Sequence, residues 1–139
     1  MKKIVLVIIA LGFSVGVNAA CKDVSSLKGI YPLTAQYTGY KNGSLVSCGA
    51  VGAIKFDGKG GASLVDETAC GGAFTNNGVY QKIDGSYTLD QACSGAAIFA
   101  QGTVNEVDVM YMFDKPLSKA NGLFSSASGL SGTGSLFKQ

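Results

Sequence analysis

The residues that could do chemistry in this chain are four cysteines, nine carboxylates and six tyrosines, because histidine and arginine are both absent. The lack of histidine excludes Ser-His-Asp and Cys-His catalysis and removes the commonest metal ligand. Close carboxylates occur only at Asp66-Glu67 and at Glu106 with Asp108. On a strand the first two point to opposite faces, and the last two share a face that alternates with an apolar one. The sequence therefore predicts solvated surface carboxylates, no enzymatic activity, and neither a cofactor nor a metal site.

The cysteines are Cys21, Cys48, Cys70 and Cys93. An even number in an exported chain predicts two disulfides, and the absence of a Cys-x-x-Cys motif disfavours a redox role. Lipid attachment at Cys21 is the alternative. It is disfavoured because Asn18 stands where a lipoprotein signal has a leucine-like residue, and because lipidation would leave one thiol without a partner.

The first residues have the pattern of a secretory signal peptide. Met1-Lys2-Lys3 is positively charged, residues 4–17 are apolar, and Val17-Asn18-Ala19 fits the small-residue cleavage site. We predict a signal peptide over 1–19 and a single mature domain over 20–139, exported to the periplasm or the extracellular space. The mature chain has nine lysines and nine acids, and this neutral balance disfavours nucleic-acid binding. The apolar run is too short to span a bilayer comfortably, so we expect no membrane span in the mature form.

Tight turns dominate the rest of the chain. Asn-Gly or Asp-Gly, the strongest short hairpin signals, occur at Asn42-Gly43, Asp57-Gly58, Asn77-Gly78, Asp84-Gly85 and Asn121-Gly122. Asp84-Gly85 falls inside the strand predicted over 79–90, where it indicates a break or a bulge. Alternating apolar residues predict eight strands, over 29–38, 47–57, 61–69, 79–90, 93–101, 104–114, 117–126 and 130–137. We therefore predict an all-β fold, an antiparallel up-and-down barrel of about eight strands.

This topology predicts how the cysteines pair. A hairpin turning at residues 57–60 brings Cys48 opposite Cys70 at one end of the barrel. Following the strands up and down places Cys21, before the first strand, and Cys93, at the start of the fifth, at the other end. The predicted disulfides are therefore Cys48–Cys70 and Cys21–Cys93.

Six aromatic residues fall on the faces predicted to point inward: Tyr31, Tyr37, Phe56, Tyr87, Tyr111 and Phe113. They would either fill the barrel core or form the walls of a cavity for a small apolar ligand, with tyrosine hydroxyls as polar contacts. Met110 and Met112 alternate with them on the outer face. If exposed, these methionines would suit an adaptable protein contact.

Several segments resemble a group of secreted bacterial proteins of uncharacterised function that have a calycin-like barrel. They are Gly29-Ile30-Tyr31, Gly52-Ala53-Ile54-Lys55-Phe56-Asp57-Gly58-Lys59-Gly60, Gly85-Ser86-Tyr87-Thr88-Leu89 and Cys93-Ser94-Gly95. These are turn and packing residues, so the resemblance implies a fold and no particular activity. The Gly-x-Trp signature of lipocalins is absent, because the chain has no tryptophan.

Two functional hypotheses follow. The first is a secreted or periplasmic binding protein that holds a small apolar ligand inside the barrel. The alternative is a protein-interaction module, such as a periplasmic enzyme inhibitor or a secreted virulence-type factor. An outer-membrane barrel is disfavoured, because the chain ends in Lys138-Gln139 without an aromatic residue and the predicted outer faces carry Lys55, Asp108 and Asp114.

Overall fold

The computed structural model describes residues 21–41, 43–71, 73–74 and 80–139, and the predicted signal peptide lies outside them. A short 3-10 turn, η1, spans Val24–Ser26. The strands follow in chain order: β1 Lys28–Lys41, β2 Ser44–Asp57, β3 Gly61–Cys70, β4 Ala73–Phe74, β5 Gln81–Tyr87, β6 Ser94–Phe99, β7 Val107–Phe113, β8 Lys119–Ser126 and β9 Ser131–Phe137.

Eight of these strands form one closed antiparallel barrel, which confirms the predicted fold class. Each barrel strand pairs with its neighbour in the chain, β3 pairs with β5 across the β4 excursion, and β1 pairs with β9 to close the sheet. The two-residue β4 adds a short ladder beside the end of β3. It lies in a stretch predicted to be a loop. Because the barrel is closed, its strands have no free edges. Free strand edges promote aggregation.

Two of the five turn signals are corrected by the structure. Gly43 and Gly58 have positive φ at the β1–β2 and β2–β3 turns, as predicted. Asp84-Gly85 and Asn121-Gly122 lie inside β5 and β8, within the predicted strands 79–90 and 117–126, and form no turn. The break or bulge expected at Asp84-Gly85 is absent, because these residues pair with Ser63 and Ala62 in a regular register. A Cβ at Gly85 would stand 2.8 Å from the Phe99 ring, so this glycine makes room for an inward ring and does not form a turn. The fifth signal, Asn77-Gly78, lies outside the described residues.

Both predicted disulfides are confirmed. Cys21 and Cys93 are joined with a Cα–Cα distance of 5.3 Å, and Cys48 and Cys70, which face each other in the β2–β3 register, with 4.1 Å. These bonds indicate an oxidising environment, extracellular or periplasmic. In the described ranges no helix is long and apolar enough to cross a membrane.

The two disulfides mark the two ends of the barrel. We call the end at Cys21–Cys93 the floor and the end at Cys48–Cys70 the mouth. At the floor, the β2–β3, β5–β6 and β7–β8 turns are each fixed by a carboxylate that accepts backbone N–H bonds: Asp57 from Lys59 and Gly61, Asp90 from Ala92 and Ser94, and Asp114 from Ser118 and Lys119. These bonds satisfy turn donors that strand pairing leaves free.

Candidate functional site

Five of the six predicted aromatic residues pack against one another at the floor. Phe56 lies at their centre, with ring centroids 5.5 Å from Tyr31, 4.9 Å from Tyr87 and 5.9 Å from Tyr111, all edge to face. Phe113 completes the group at 5.3 Å from both Tyr31 and Tyr111. Edge-to-face contacts of this kind stabilise a packed interior beyond the area they bury. The floor half of the barrel is therefore filled by side chains.

The hydroxyl groups of these floor tyrosines are used by the protein itself. Tyr31 donates to the carbonyl oxygen of Leu117 at 3.0 Å, and Tyr111 donates to that of Thr88 at 2.7 Å. Satisfied hydroxyls of this kind are needed for burial of tyrosine in a dry core. Neither group is left to bind another molecule.

Tyr87 closes the floor from the N-terminal side. Its hydroxyl lies 2.8 Å from the carbonyl oxygens of both Val24 and Leu27, and it accepts a bond from the Gly58 N–H at 3.1 Å. The segment containing η1, with its buried Leu27, is thereby held across the end of the barrel. The Cys21–Cys93 disulfide holds the same segment covalently.

Tyr37 differs from the other interior tyrosines. It lies towards the mouth, where its ring packs edge to face on Phe124 at 6.0 Å, and only 7% of it is exposed. Within the described part of the chain, no group accepts a hydrogen bond from its hydroxyl. Burial, followed by the nearby charge of Asp66, raises the pKa of Tyr37 to about 12. The hydroxyl is therefore protonated at neutral pH and available to a bound molecule.

A cavity of about 280 Å³ opens beside Tyr37 at the mouth. Its lower wall comes from inward positions of the strands, and its rim comes from the β6–β7 and β8–β9 connections. The lining residues are Tyr37, Asp66, Thr68, Cys70, Gln81, Ile83, Val104, Asn105, Glu106, Val107, Ser126, Ser128 and Leu130. The barrel is thus filled at one end and hollow at the other.

Asp66 is the carboxylate that enters this cavity from β3, and it corrects the prediction of a surface position. The alternation of Ala62, Leu64 and Asp66 places its side chain inside, while Glu67 points to the opposite face as predicted. The prediction that Glu67 is solvated is nevertheless wrong, because this side chain is only 4% exposed and neither of its carboxylate oxygens has a hydrogen-bond partner among the described residues. Burial raises the pKa of Asp66, and the Glu67 charge raises it further. A hydrogen bond from the Thr68 hydroxyl at 3.3 Å acts in the other direction. A carboxylate in this position is costly to ionise unless a partner binds it.

Glu106 is the second carboxylate at the mouth, and its predicted outer-surface position is also corrected. It precedes β7, so strand alternation does not govern it, and its Oε2 accepts a bond from the Gly102 N–H at 2.5 Å. This bond folds the β6–β7 connection over the cavity rim. Asp108, by contrast, lies on the outer face of β7 as predicted.

The opposite pKa shifts of Asp66 and Asp114 predict opposite effects of their asparagine variants on stability. The folded state binds a proton at Asp66 more tightly than the unfolded chain does. This carboxyl therefore costs stability as pH rises above its unfolded pKa near 3.8. Bonds from Ser118 lower the pKa of Asp114, so its contribution is present at neutral pH and is lost as pH falls. Relative to the parent, Asp66→Asn should gain stability between pH 3 and pH 7, and Asp114→Asn should lose it.

Urea unfolding of both variants at pH 3 and pH 7 measures this difference. Comparison of the two pH values removes any effect of the substitution that does not depend on titration. If the stability of both variants relative to the parent changed in the same direction between pH 3 and pH 7, the assignment of Asp66 to a desolvated site would be contradicted.

The outer surface has three further depressions between strands, of about 410, 810 and 700 Å³, each larger than the cavity at the mouth. Two of them border Met110, and the third lies over β1, β2 and β9 between small side chains such as Thr34 and Ser135. Met110, Met112 and Leu123 are more than half exposed on this side, at 58%, 64% and 55%. They form a small apolar outer face, as predicted for the methionines.

No group of three or more histidine, cysteine or acidic side chains that could hold a metal ion occurs among the described residues. A scan against protein-family models, a search of curated proteins and a search of solved structures each found no match to this chain.

Proposed function

We propose that this chain is an exported, non-enzymatic binding protein of calycin-like type that holds a small, largely apolar ligand in the mouth of the barrel. The observation that carries this proposal is Tyr37, a largely buried residue at the cavity whose hydroxyl forms no hydrogen bond with the described residues. The hydroxyls of the three floor tyrosines all bond to the backbone. The Tyr37 hydroxyl is therefore the one of these four that can form a hydrogen bond with a bound molecule, as donor or as acceptor.

The composition of the cavity supports a small ligand. Tyr37, Ile83, Val107 and Leu130 supply apolar wall, while Asp66 and a few hydroxyl and amide groups supply polar contacts. Apolar walls with a small number of placed polar groups are typical of ligand sites. A volume of about 280 Å³ is at the lower end of the range for such sites. Of the six predicted ligand-binding aromatic residues, we assign direct contact to Tyr37 and a supporting role to the other five.

The absence of enzymatic activity is part of the proposal. The chain has no histidine, and all four cysteines are in disulfides. Asp66 and Glu106 are the carboxylates among the described lining residues, and Asp66 accepts a bond from the Thr68 hydroxyl without an imidazole or a free thiol beside it. Export, by way of the signal peptide over 1–19, is supported by the same disulfides.

Binding of a small probe, and its loss when a larger side chain occupies the cavity, test the proposal. We expect isothermal calorimetry to show saturable binding of 2-phenylethanol, a probe with an apolar ring and one hydroxyl, to the oxidised protein. Ile83→Trp places a bulky indole ring inside the mouth. This ring would occupy part of the cavity, so it should weaken binding of the probe by about tenfold or more. Ile98→Trp makes the same change on the outer face of β6 and should leave binding within about twofold.

The alternative is a protein-interaction module that uses the outer face of Met110, Met112 and Leu123. Its support is the exposure of these three side chains on one side of the barrel. The same titration separates the two functions. No heat of binding from 2-phenylethanol or from the charged probes described below would contradict the ligand site and favour this face.

A further inference from the structure

We propose that the ligand of the mouth is a small organic cation, an amine attached to an apolar body. This inference rests on the proposed function, because it names the chemistry of the molecule held in that cavity. Asp66 and Glu106 line the mouth, and no lysine is among the lining residues that the structure describes. Two carboxylates in a partly desolvated cavity favour a positive partner over a neutral or negative one.

The nearest lysine on β5 does not neutralise these carboxylates. Lys82 points away from the cavity on the outer face and forms an ion pair with Asp84 at 3.2 Å. Within the described residues, the Asp66 carboxylate accepts a hydrogen bond only from the Thr68 hydroxyl. An incoming ammonium group would therefore meet an acidic group that none of the described side chains neutralises.

Charge is also distributed unevenly along the barrel axis. Four acids lie in the half towards the mouth, Asp66, Glu67, Glu106 and Asp108, and Asp84 lies at the middle of β5. Lys41 and Lys82 are the lysines of that half in the described chain, whereas the floor half contains Lys22, Lys28, Lys55, Lys59, Lys115, Lys119 and Lys138 against four acids. A neutral protein with this distribution has a negative mouth, which attracts cations to the cavity.

Tyr37 provides the second element of an amine site. Tyr37 and Asp66 line the same cavity, and the Asp66 charge adds to the effect of burial in raising the pKa of Tyr37. An ammonium group bound by the carboxylate would donate to the unpaired phenol oxygen or lie over the ring, and both arrangements are favourable. Ile83 and Leu130 on the cavity wall would contact the apolar body of the ligand. A tyrosine hydroxyl without a bond to the described residues and a desolvated carboxylate thus line one cavity.

Three probes of similar size and different charge test the inference: phenethylamine, 2-phenylethanol and 3-phenylpropionate. With the oxidised protein at pH 7, calorimetry should show that phenethylamine binds at least about tenfold more tightly than the alcohol. The propionate should bind most weakly. Asp66→Asn should bring the affinity for the amine to within about twofold of that for the alcohol, whereas Asp108→Asn, a matched loss of charge on the outer face, should change neither.

The outcomes separate this inference from the function on which it rests. Equal binding of the amine and the alcohol would overturn the cation proposal and leave the binding cavity intact. No binding of any probe would overturn both. An equal loss of amine affinity in Asp66→Asn and Asp108→Asn would trace the preference to overall charge, and would also overturn the assignment to Asp66.

Discussion

Replacement of Phe56 by alanine is expected to destabilise the barrel by about 3–5 kcal/mol, the cost of deleting a buried aromatic ring from a core that cannot collapse around the gap. Phe56 is 1% exposed and its ring contacts four others at the floor, those of Tyr31, Tyr87, Tyr111 and Phe113. Three of these neighbours are fixed by hydrogen bonds to the backbone or by strand packing, so they cannot move to fill the space. Urea unfolding followed by tyrosine fluorescence measures the loss.

Phe137→Ala is the matched control for this variant. Phe137 lies on the outer face of β9, is 44% exposed and contacts the Lys119 ammonium group at 5.4 Å. Its removal should cost about 1 kcal/mol or less. If Phe56→Ala does not fold, Phe56→Leu keeps most of the volume and should cost about 1–2 kcal/mol. Equal costs for Phe56→Leu and Phe137→Ala would contradict a closely packed floor.

Removal of the Cys21–Cys93 disulfide is expected to cost about 4.4 kcal/mol, and removal of Cys48–Cys70 about 3.4 kcal/mol, on the chain-entropy model. The difference follows from the loops that the bonds close, which have sequence separations of 72 and 22. The first bond also holds the segment that Tyr87 contacts across the floor. Loss of the Cys21–Cys93 disulfide should therefore expose the aromatic core, in addition to raising the conformational entropy of the unfolded chain.

The double-serine variants Cys21→Ser/Cys93→Ser and Cys48→Ser/Cys70→Ser measure these costs in urea. The larger loss should fall on the first pair, together with increased binding of a fluorescent hydrophobic dye, which reports the exposed core. A larger loss on the second pair would contradict the role given to the floor bond. Loss of ligand binding by Cys48→Ser/Cys70→Ser would not contradict the proposal, because that disulfide lies at the mouth.

The architecture could be predicted because it depends on local signals that agree with one another. Alternation in the segment from Tyr31 to Tyr37 and in the segment from Val107 to Phe113 fixed which side chains point inward. The turn after Asp57 fixed the register that brings Cys48 opposite Cys70. Closure and both disulfides followed from a regular meander of these hairpins.

The candidate site could be predicted only in part, because it depends on where the filled part of the barrel ends. Alternation alone placed Tyr37 with the five floor aromatics, and only the packing shows that its hydroxyl is left unpaired. Asp66 shares a face with Ala62 and Leu64, so the same alternation could have placed it inside. Glu106 was misplaced because β7 begins at Val107 and not at residue 104, and alternation has no meaning before a strand begins.

Glycine misled the turn prediction for a related reason. A Cβ at Gly85 would stand 2.2 Å from the Ile98 carbonyl oxygen, and one at Gly122 would stand 2.9 Å from the Met110 carbonyl oxygen, so both glycines allow the paired strand to approach closely. An Asp-Gly or Asn-Gly pair has the same appearance in either role. Only the pairing with the neighbouring strand distinguishes the two roles, and that is a long-range property.

The position of a bound probe tests the central claim most directly. We predict that intermolecular NOEs between phenethylamine and the isotope-labelled protein will connect the probe to Tyr37, Ile83 and Leu130 at the mouth. The same spectrum should show no contacts to Phe56 or Phe113 at the floor. Contacts to Met110 and Met112 on the outer face, or to the floor rings, with none at the mouth, would contradict a barrel that is filled at one end and binds its ligand at the other.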